Sequence, residues 1–234
     1  MVNCGAAMYI APVGIVNAGD PEGAYREAIE ISGAHQSSYG REAAGVMAAS
    51  VAEALRPVAT VDSIVGVASA LARDGTRNAI AAVVAAAREC RNCEDAIPKI
   101  RDAIRPFDSV GEEYRRPGLD ARRPSRTHSI EELPVALGML VAAKGDWSES
   151  VLGSVNYGRD ADSIASMAGA MAGALHGEVA IPAEWRETVS RSSRLTLREI
   201  ADELSGVAVE IFAADTRRWE ERAGNFPSGG WNVT

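Results

Sequence analysis

Small and apolar residues recur every three or four positions along almost the entire chain. Between Asp20 and His35, for example, Ala24, Ala28 and Ile31 fall on one face of a helix. This spacing matches the 3.6-residue period of an amphipathic helix and differs from the two-residue period of a strand. The pattern predicts helices over residues 20–35, 39–55, 60–73, 76–91, 95–104, 130–143, 146–155, 160–175, 183–193 and 196–223.

Several of these helices begin with residue types that favour helix initiation. The Asp20 side chain can accept hydrogen bonds from free amide groups, and Pro21 suits the first helical position. Thr60 and Thr76 are predicted to cap their helices in the same way. Pro98 is expected in the first turn of helix 95–104, where proline is tolerated.

The chain contains no alternating run of apolar and polar residues long enough to predict a sheet, and no repeat of fixed period. The short apolar run 13–16 is ambiguous between helix and strand. We therefore predict an all-α fold, in which residues 1–226 form a single compact orthogonal bundle of many helices. Residues 106–129 are predicted to form a long surface loop, and residues 227–234 a flexible tail.

Composition and charge limit the classes of partner. The 234 residues include 32 acidic and 24 basic side chains, for a formal net charge of −8. Duplex nucleic acid is not an expected partner, because its recognition needs clustered positive charge. The longest apolar run, 79–87, is too short to cross a bilayer, and no secretory signal is visible. We expect no membrane partner and a cytoplasmic location.

The three cysteines do not form a recognisable zinc or redox motif. Cys90 and Cys93 make one Cys-x-x-Cys pair, whereas tetrahedral zinc needs two further ligands at suitable spacing. A redox pair would be expected after a strand, which the pattern does not predict. We interpret the pair as ordinary thiols at a helix end. With Cys4 the count is odd, which fits a reducing compartment.

Oxygen donors are concentrated in segment 156–177, with the sequence NYGRDADSIASMAGAMAGALHG. Asp160, Asp162 and Ser163 fall at the predicted start of a helix that has a face of small residues. Two carboxylates and a hydroxyl within four residues are donors that Mg²⁺ and Mn²⁺ prefer. The alternative is that the three side chains only cap the helix, and the spacing alone favours capping.

This segment resembles the C-terminal metal motif of ADP-ribosylglycohydrolases, Asp-x-Asp-Thr or Asp-x-Asp-Ser followed by a helix of small residues. Two flanking blocks are also similar to that family, LPVAL at 133–137 and AIPAEW at 180–185. The resemblance implies an ADP-ribosylglycohydrolase-like helical fold and a metal-dependent hydrolase of ribosyl glycosidic bonds. It also implies that Asp160, Asp162 and Ser163 bind Mg²⁺ or Mn²⁺, with two ions in a complete site.

The beginning of the chain is similar to the substrate loop of the same family, Gly-Asn-Gly-Ala-x-Met-Arg followed by Ala-Pro-Leu-Gly. The corresponding residues here are NCGAAMY at 3–9 and APVG at 11–14. Tyr9 stands where the family often has arginine, which argues against recognition of a pyrophosphate. The resemblance implies substrate-binding roles for Asn3, Cys4, Gly5, Ala6, Met8, His35, Tyr39, Gly158 and Arg159.

The family normally has a further N-terminal segment, with a Thr-Asp-Asp turn for the other metal ligands and an acidic residue assigned as general acid/base. This sequence contains no such turn, so no catalytic acid or base is assigned within it. The acidic pairs 112–113 and 131–132 are interpreted as solvated. The resemblance implies that a complete site needs this segment, from a separate chain or from an upstream part of the gene.

Three functions remain open from the sequence. The first is an enzyme that removes ADP-ribose from a modified protein or small molecule, or hydrolyses it. The second is a hydrolase of nucleoside-type N-glycosides, or a catalytically incomplete family member that binds a nucleotide or ribosyl ligand. The third is a structural helical module in which Asp160, Asp162 and Ser163 only cap a helix.

Overall fold

A computed structural model describes residues 2–107 and 129–225. Every regular element within these two ranges is helical, which confirms the predicted all-α fold. The elements are α1 (Ala11–Val16), α2 (Pro21–Ser32), α3 (Ser38–Ala54), α4 (Val61–Leu71), α5 (Asp74–Arg88), α6 (Cys93–Ile104), a 3-10 turn (Arg105–Phe107), α7 (Ser129–Ala142), α8 (Trp147–Tyr157), α9 (Ala161–His176), a second 3-10 turn (Glu178–Ala180), α10 (Ala183–Ser193) and α11 (Leu197–Gly224). The predicted loop lies mostly outside the described residues, and the predicted tail lies wholly outside them.

Two of the predicted helix starts have the expected caps. The Asp20 carboxylate accepts a hydrogen bond from the amide of Gly23 at 2.9 Å, at the start of α2. At the start of α4, Thr60 and Ser63 form a capping box in which each side chain accepts the other residue's amide at 3.0 Å. These contacts satisfy amides that the first helical turn leaves free.

Two other predicted starts are wrong. Thr76 does not cap α5, because the helix begins two residues earlier and the buried Thr76 hydroxyl donates to Glu42 at 3.1 Å. Pro98 lies beyond the first turn, because α6 begins at Cys93 after the cap Asn92. In both cases a different residue starts the helix. The ambiguous run 13–16 is helical and belongs to α1.

Helix α3 lies at the centre of the bundle. It packs against α1, α2, α4, α7 and α9. Every residue from 43 to 54 is buried, so the second half of this helix has no solvated face. Most of these residues are alanine, glycine, valine or serine, and their small size lets the surrounding helices approach closely.

Helix α9 packs its small residues against α8. A Cβ atom added to Gly169 would lie 3.1 Å from a methyl group of Val151, and the Trp147 indole donates to the Gly169 carbonyl at 3.0 Å. The small residues after the candidate ligands therefore serve helix packing. This packing fixes the start of α9 relative to the end of α8.

Helices α10 and α11 contain no buried residue. Helix α11 packs mainly against α1 and leaves large apolar side chains exposed, among them Ile200, Phe212 and Trp219. None of the described helices is both long enough and apolar enough to cross a membrane. The helices that matter for the candidate site are therefore α1 to α9.

The thiols of Cys4, Cys90 and Cys93 are all free. Cys90 follows α5 and donates to the Ala86 carbonyl at 3.1 Å, while Cys93 opens α6 and is buried. Burial raises the pKa of Cys93 to about 11, with a further contribution from Glu149. This thiol is therefore neutral near pH 7.

Gly14 tests the close contact between α1 and α3. A Cβ atom at Gly14 would lie 2.5 Å from the Ala48 carbonyl oxygen and 2.7 Å from the Val51 Cβ. We expect Gly14→Ala to lower the free energy of unfolding by about 1–3 kcal/mol, because backbone must move to accept the methyl group. Gly66→Ala is the control, since nothing lies within 4 Å of its added Cβ. It should raise stability by about 0.5–1 kcal/mol through helix propensity. Urea unfolding of both variants gives the comparison, and equal effects would contradict the close contact.

Candidate functional site

The loop before α1 is held against the turn between α2 and α3. The Asn3 side-chain oxygen accepts hydrogen bonds from the Gly5 amide at 2.9 Å and from the Gln36 side chain at 2.8 Å. The Asn3 amide donates to the Gln36 side chain at 3.3 Å in return. A Cβ atom at Gly40 would lie 2.6 Å from the Gln36 side-chain oxygen and 2.7 Å from the Asn3 carbonyl oxygen. Glycine at position 40 is therefore required for this loop to lie on α3.

The same loop carries Cys4 to the start of α9. Cys4 is only 2% exposed, and its thiol donates to an Asp160 carboxylate oxygen at 3.0 Å. Its sulfur also lies 3.5 Å from the Ser163 hydroxyl, which donates to the Met8 sulfur at 3.4 Å. Burial raises the pKa of the Cys4 thiol above its usual range, and the Glu132 and Asp160 carboxylates raise it further. The thiol is neutral and acts as a hydrogen-bond donor.

Asp160 precedes α9 without capping it. Its side chain accepts no hydrogen bond from the amides of the first turn. Asp146 holds the equivalent position before α8 and does cap it, since it accepts the Glu149 amide at 2.8 Å. Asp146 and Asp160 therefore hold similar positions but make different contacts. Helix capping explains the contact of Asp146 and does not explain that of Asp160.

The three predicted metal ligands occupy different environments. Asp160 is half-buried and Ser163 is buried, and both contact Cys4. Asp162 is exposed in the first turn of α9. The structure thus brings Asp160 and Ser163 together with the N-terminal loop, while Asp162 faces solvent.

The acidic pair at the start of α7 is buried, so its interpretation as solvated is wrong. Glu131 is 2% exposed and Glu132 is 0% exposed. The reason is tertiary packing, because α7 lies among α3, α5, α6, α8 and α9. One possible ligand atom each from Cys4, Glu132 and Asp160 lie within 4.8 Å of one another. Sequence reasoning missed Glu132, although an acidic pair directly before an apolar helix was a signal. The other pair, 112–113, lies outside the described residues.

Glu131 organises the turn between α8 and α9. Its carboxylate lies 2.9 Å from the Arg159 guanidinium and accepts a hydrogen bond from the Tyr157 hydroxyl at 3.2 Å. The Arg101 guanidinium lies over the Tyr157 ring, 5.2 Å from its centre, and donates to the Tyr157 carbonyl. Burial raises the pKa of Tyr157, and the charge of Glu131 raises it further. These contacts hold the residues directly before Asp160.

The backbone of this turn adopts the left-handed region at two successive residues. Gly158 has a φ angle of 78° and Arg159 has one of 56°. Glycine adopts such angles readily, whereas they are uncommon for arginine. The ion pair between Arg159 and Glu131 contributes to holding this conformation. As a result, the Asp160 carboxylate faces the loop that carries Cys4.

An exposed aromatic pair lies beside the N-terminal loop. The rings of Tyr9 and His35 stack with centroids 5.8 Å apart and an interplanar angle of 19°, and the Tyr9 hydroxyl contacts the His35 Nε2. Tyr9 is 47% exposed. The remaining predicted substrate-binding residues divide by exposure: Cys4 and Ala6 are buried, Asn3, Gly5, Tyr39, Gly158 and Arg159 are half-buried, and Met8 is exposed.

Donor atoms from three separate elements therefore converge at one point. The loop contributes a thiol, the start of α7 a carboxylate, and the start of α9 a carboxylate and a hydroxyl. The carboxylate and hydroxyl oxygens fit the divalent metal that the resemblance implies, whereas the Cys4 thiol is a softer donor. Buried carboxylates are costly unless a cation or hydrogen-bond donors compensate them.

Comparison with known proteins relates this chain to a family. The sequence model of ADP-ribosylglycohydrolases matches residues 1–214. A curated relative named ADP-ribosylarginine hydrolase Tri1, from Pseudomonas putida (strain GB-1), is 30% identical over 131 residues. The aligned region is 55% of this chain and 34% of the relative, so the match spans about a third of the relative's length. Since the family match extends over most of the sequence, the chain belongs to the ADP-ribosylglycohydrolase family.

Proposed function

We propose that this chain forms one wall of the active site of a metal-dependent glycosidase that releases ADP-ribose. The observation that supports this most directly is the contact set of Asp160. Its carboxylate makes no capping hydrogen bond to α9 and accepts the Cys4 thiol instead, next to the buried Glu132. A helix-capping role alone does not explain this arrangement.

The proposed metal-binding residues are Asp160 and Ser163, with Asp162 available from the same turn. When bound, Mg²⁺ or Mn²⁺ would orient ribose hydroxyls and stabilise the charge that develops as the bond at C1 breaks. A complete site with two ions would take further ligands from the segment with the Thr-Asp-Asp turn that the family resemblance implies. The same segment is the proposed source of the general acid/base.

The proposed substrate is ADP-ribose attached to arginine. Support comes from the relative's name, ADP-ribosylarginine hydrolase, and from the family match. Within this chain, the stacked Tyr9 and His35 rings offer an exposed aromatic surface for the adenine or ribose ring. The alternative is a nucleoside-type N-glycoside, favoured by the uncharged Tyr9 beside the loop. We propose a cytoplasmic location, which the three free thiols support.

The first prediction from this proposed function separates metal binding from capping. Asp160→Asn should weaken Mn²⁺ binding by about tenfold or more, because it removes a charged donor. Its free energy of unfolding should change by less than about 0.5 kcal/mol, because no cap is lost. Isothermal titration with Mn²⁺ and urea unfolding measure the two effects.

Asp146→Asn is the matched control, because asparagine also caps helices. It should leave Mn²⁺ binding unchanged. The same pair of variants, assayed for ADP-ribose release together with the segment that supplies the remaining ligands, tests the reaction. Wild-type Mn²⁺ affinity or wild-type activity in Asp160→Asn would exclude the proposed role.

The second prediction concerns the turn before Asp160. Tyr157→Phe removes a buried hydroxyl that donates to the Glu131 carboxylate. We expect a loss of about 1–2 kcal/mol in unfolding free energy, together with weaker Mn²⁺ binding, because the turn is held less firmly. Tyr9→Phe removes an exposed hydroxyl and should cost less than about 0.5 kcal/mol. Similar losses of unfolding free energy in Tyr157→Phe and Tyr9→Phe would show that the hydrogen bond between Tyr157 and Glu131 contributes little to stability.

The third prediction distinguishes the two substrate classes. Under the proposal, ADP-ribose binds the wild-type chain more tightly than adenosine does. Tyr9→Ala should weaken ADP-ribose binding by about tenfold, through loss of the aromatic surface. Trp219→Ala on α11 is the control, since it removes another exposed aromatic ring. Calorimetric titration with both ligands decides the question, and equal affinities for ADP-ribose and adenosine favour the nucleoside alternative.

A further inference from the structure

We infer that Cys4 is itself a metal ligand, and that Cys4, Glu132, Asp160 and Ser163 form a mixed sulfur and oxygen site. Such a site takes a borderline-soft divalent metal, Zn²⁺ or Co²⁺, in preference to Mg²⁺. The inference rests on the proposed metal site and specifies the class of metal that it binds.

The first support is the spacing of the donor atoms. The Cys4 sulfur lies 3.0 Å from an Asp160 oxygen and 3.5 Å from the Ser163 oxygen. Two ligands of a tetrahedral zinc ion, one sulfur at about 2.3 Å and one oxygen at about 2.0 Å, lie about 3.5 Å apart. A Glu132 carboxylate oxygen lies within 4.8 Å of both the Cys4 sulfur and an Asp160 carboxylate oxygen. The donors of Cys4, Glu132 and Asp160 are therefore close enough to share one ion, and the Ser163 hydroxyl lies beside the Cys4 sulfur.

The second support is the independent positioning of the donors. Cys4 is held by the loop that Asn3, Gln36 and Gly40 fix on α3. Glu132 comes from the first turn of α7, and α7 packs against α3, α4, α5, α6, α8 and α9. Asp160 and Ser163 come from the start of α9. Because the thiol and the carboxylates come from separate elements, helix capping within one element does not explain why they lie together.

The third support is the contrast with Cys93, which is equally buried. The Cys93 sulfur lies near a backbone carbonyl, that of Met139, at 3.6 Å. Its surroundings are those of a thiol used for packing in a helical core. Cys4 instead contacts a carboxylate and a hydroxyl. The two thiols therefore form a natural comparison within one chain.

The metal class follows from the chemistry of the donors. Mg²⁺ is a hard cation that prefers octahedral oxygen ligands, whereas thiolate ligands favour Zn²⁺ and related metals. Binding replaces the S–H bond of Cys4 by a sulfur–metal bond, and the released proton passes to solvent. No oxidant or reductant takes part.

Titration with Co²⁺ tests the inference, because a cobalt–thiolate bond has a charge-transfer absorption band in the near ultraviolet. We expect the band in the wild-type chain and in Cys93→Ser, and its loss in Cys4→Ser. Zn²⁺ affinity should fall by about tenfold or more in Cys4→Ser and should stay within about threefold in Cys93→Ser. Cys4→Ala gives the same comparison if Cys4→Ser does not fold.

The outcomes separate this inference from the proposed function. Co²⁺ binding without the band, or a band that persists in Cys4→Ser or Cys4→Ala, would overturn the role of Cys4. Mn²⁺ binding that depends on Asp160 would still support the proposed function in that case. If wild-type protein binds none of Co²⁺, Zn²⁺ and Mn²⁺, both the inference and the proposed metal site are wrong.

Discussion

The buried carboxylates at the start of α7 and the half-buried Asp160 before α9 are the constraint around which the candidate site is organised. A charged group inside a helical bundle is stable only when cations or hydrogen-bond donors surround it. Glu131 meets this requirement through Arg159 and Tyr157, while Asp160 receives the Cys4 thiol. Each of these partners comes from a different part of the chain than the carboxylate it contacts. The charges therefore tie the N-terminal loop, α7 and the turn between α8 and α9 to one another.

Small residues make this arrangement geometrically possible. The central helix α3 carries short side chains along its buried half, so that α1, α7 and α9 can approach it. Gly40 leaves room for the Asn3–Gln36 contact, and Gly14 lets α1 lie against the backbone of α3. A larger side chain at either glycine would move the loop that carries Cys4. The small side chains that keep the aromatic content of the chain low are thus also the ones that let these helices and the loop position the candidate site.

The functional proposal depends on the contrast between two aspartates. Asp146 and Asp160 both stand directly before a helix, and a sequence pattern treats them alike. Only Asp146 caps its helix, whereas the Asp160 carboxylate accepts a hydrogen bond from the Cys4 thiol. The difference arises because the turn before Asp160 is held by Glu131 and begins with left-handed residues. The contact between Glu131 and the turn thus gives Asp160 a role other than helix capping.

Periodicity alone was enough to predict an all-α fold and the approximate positions of α2 to α11, because the spacing of apolar residues along the chain reports helix formation locally. It left the short helix α1 ambiguous between helix and strand. The small-residue motif after Asp160 and its family were also readable from the sequence. The burial of Glu131 and Glu132 was not, because a charge pair looks the same at a solvated helix start as at an enclosed one. Nor was the contact between Cys4 and Asp160, which lie 156 residues apart. Tertiary packing alone decides which polar groups leave water, and hence which ones meet.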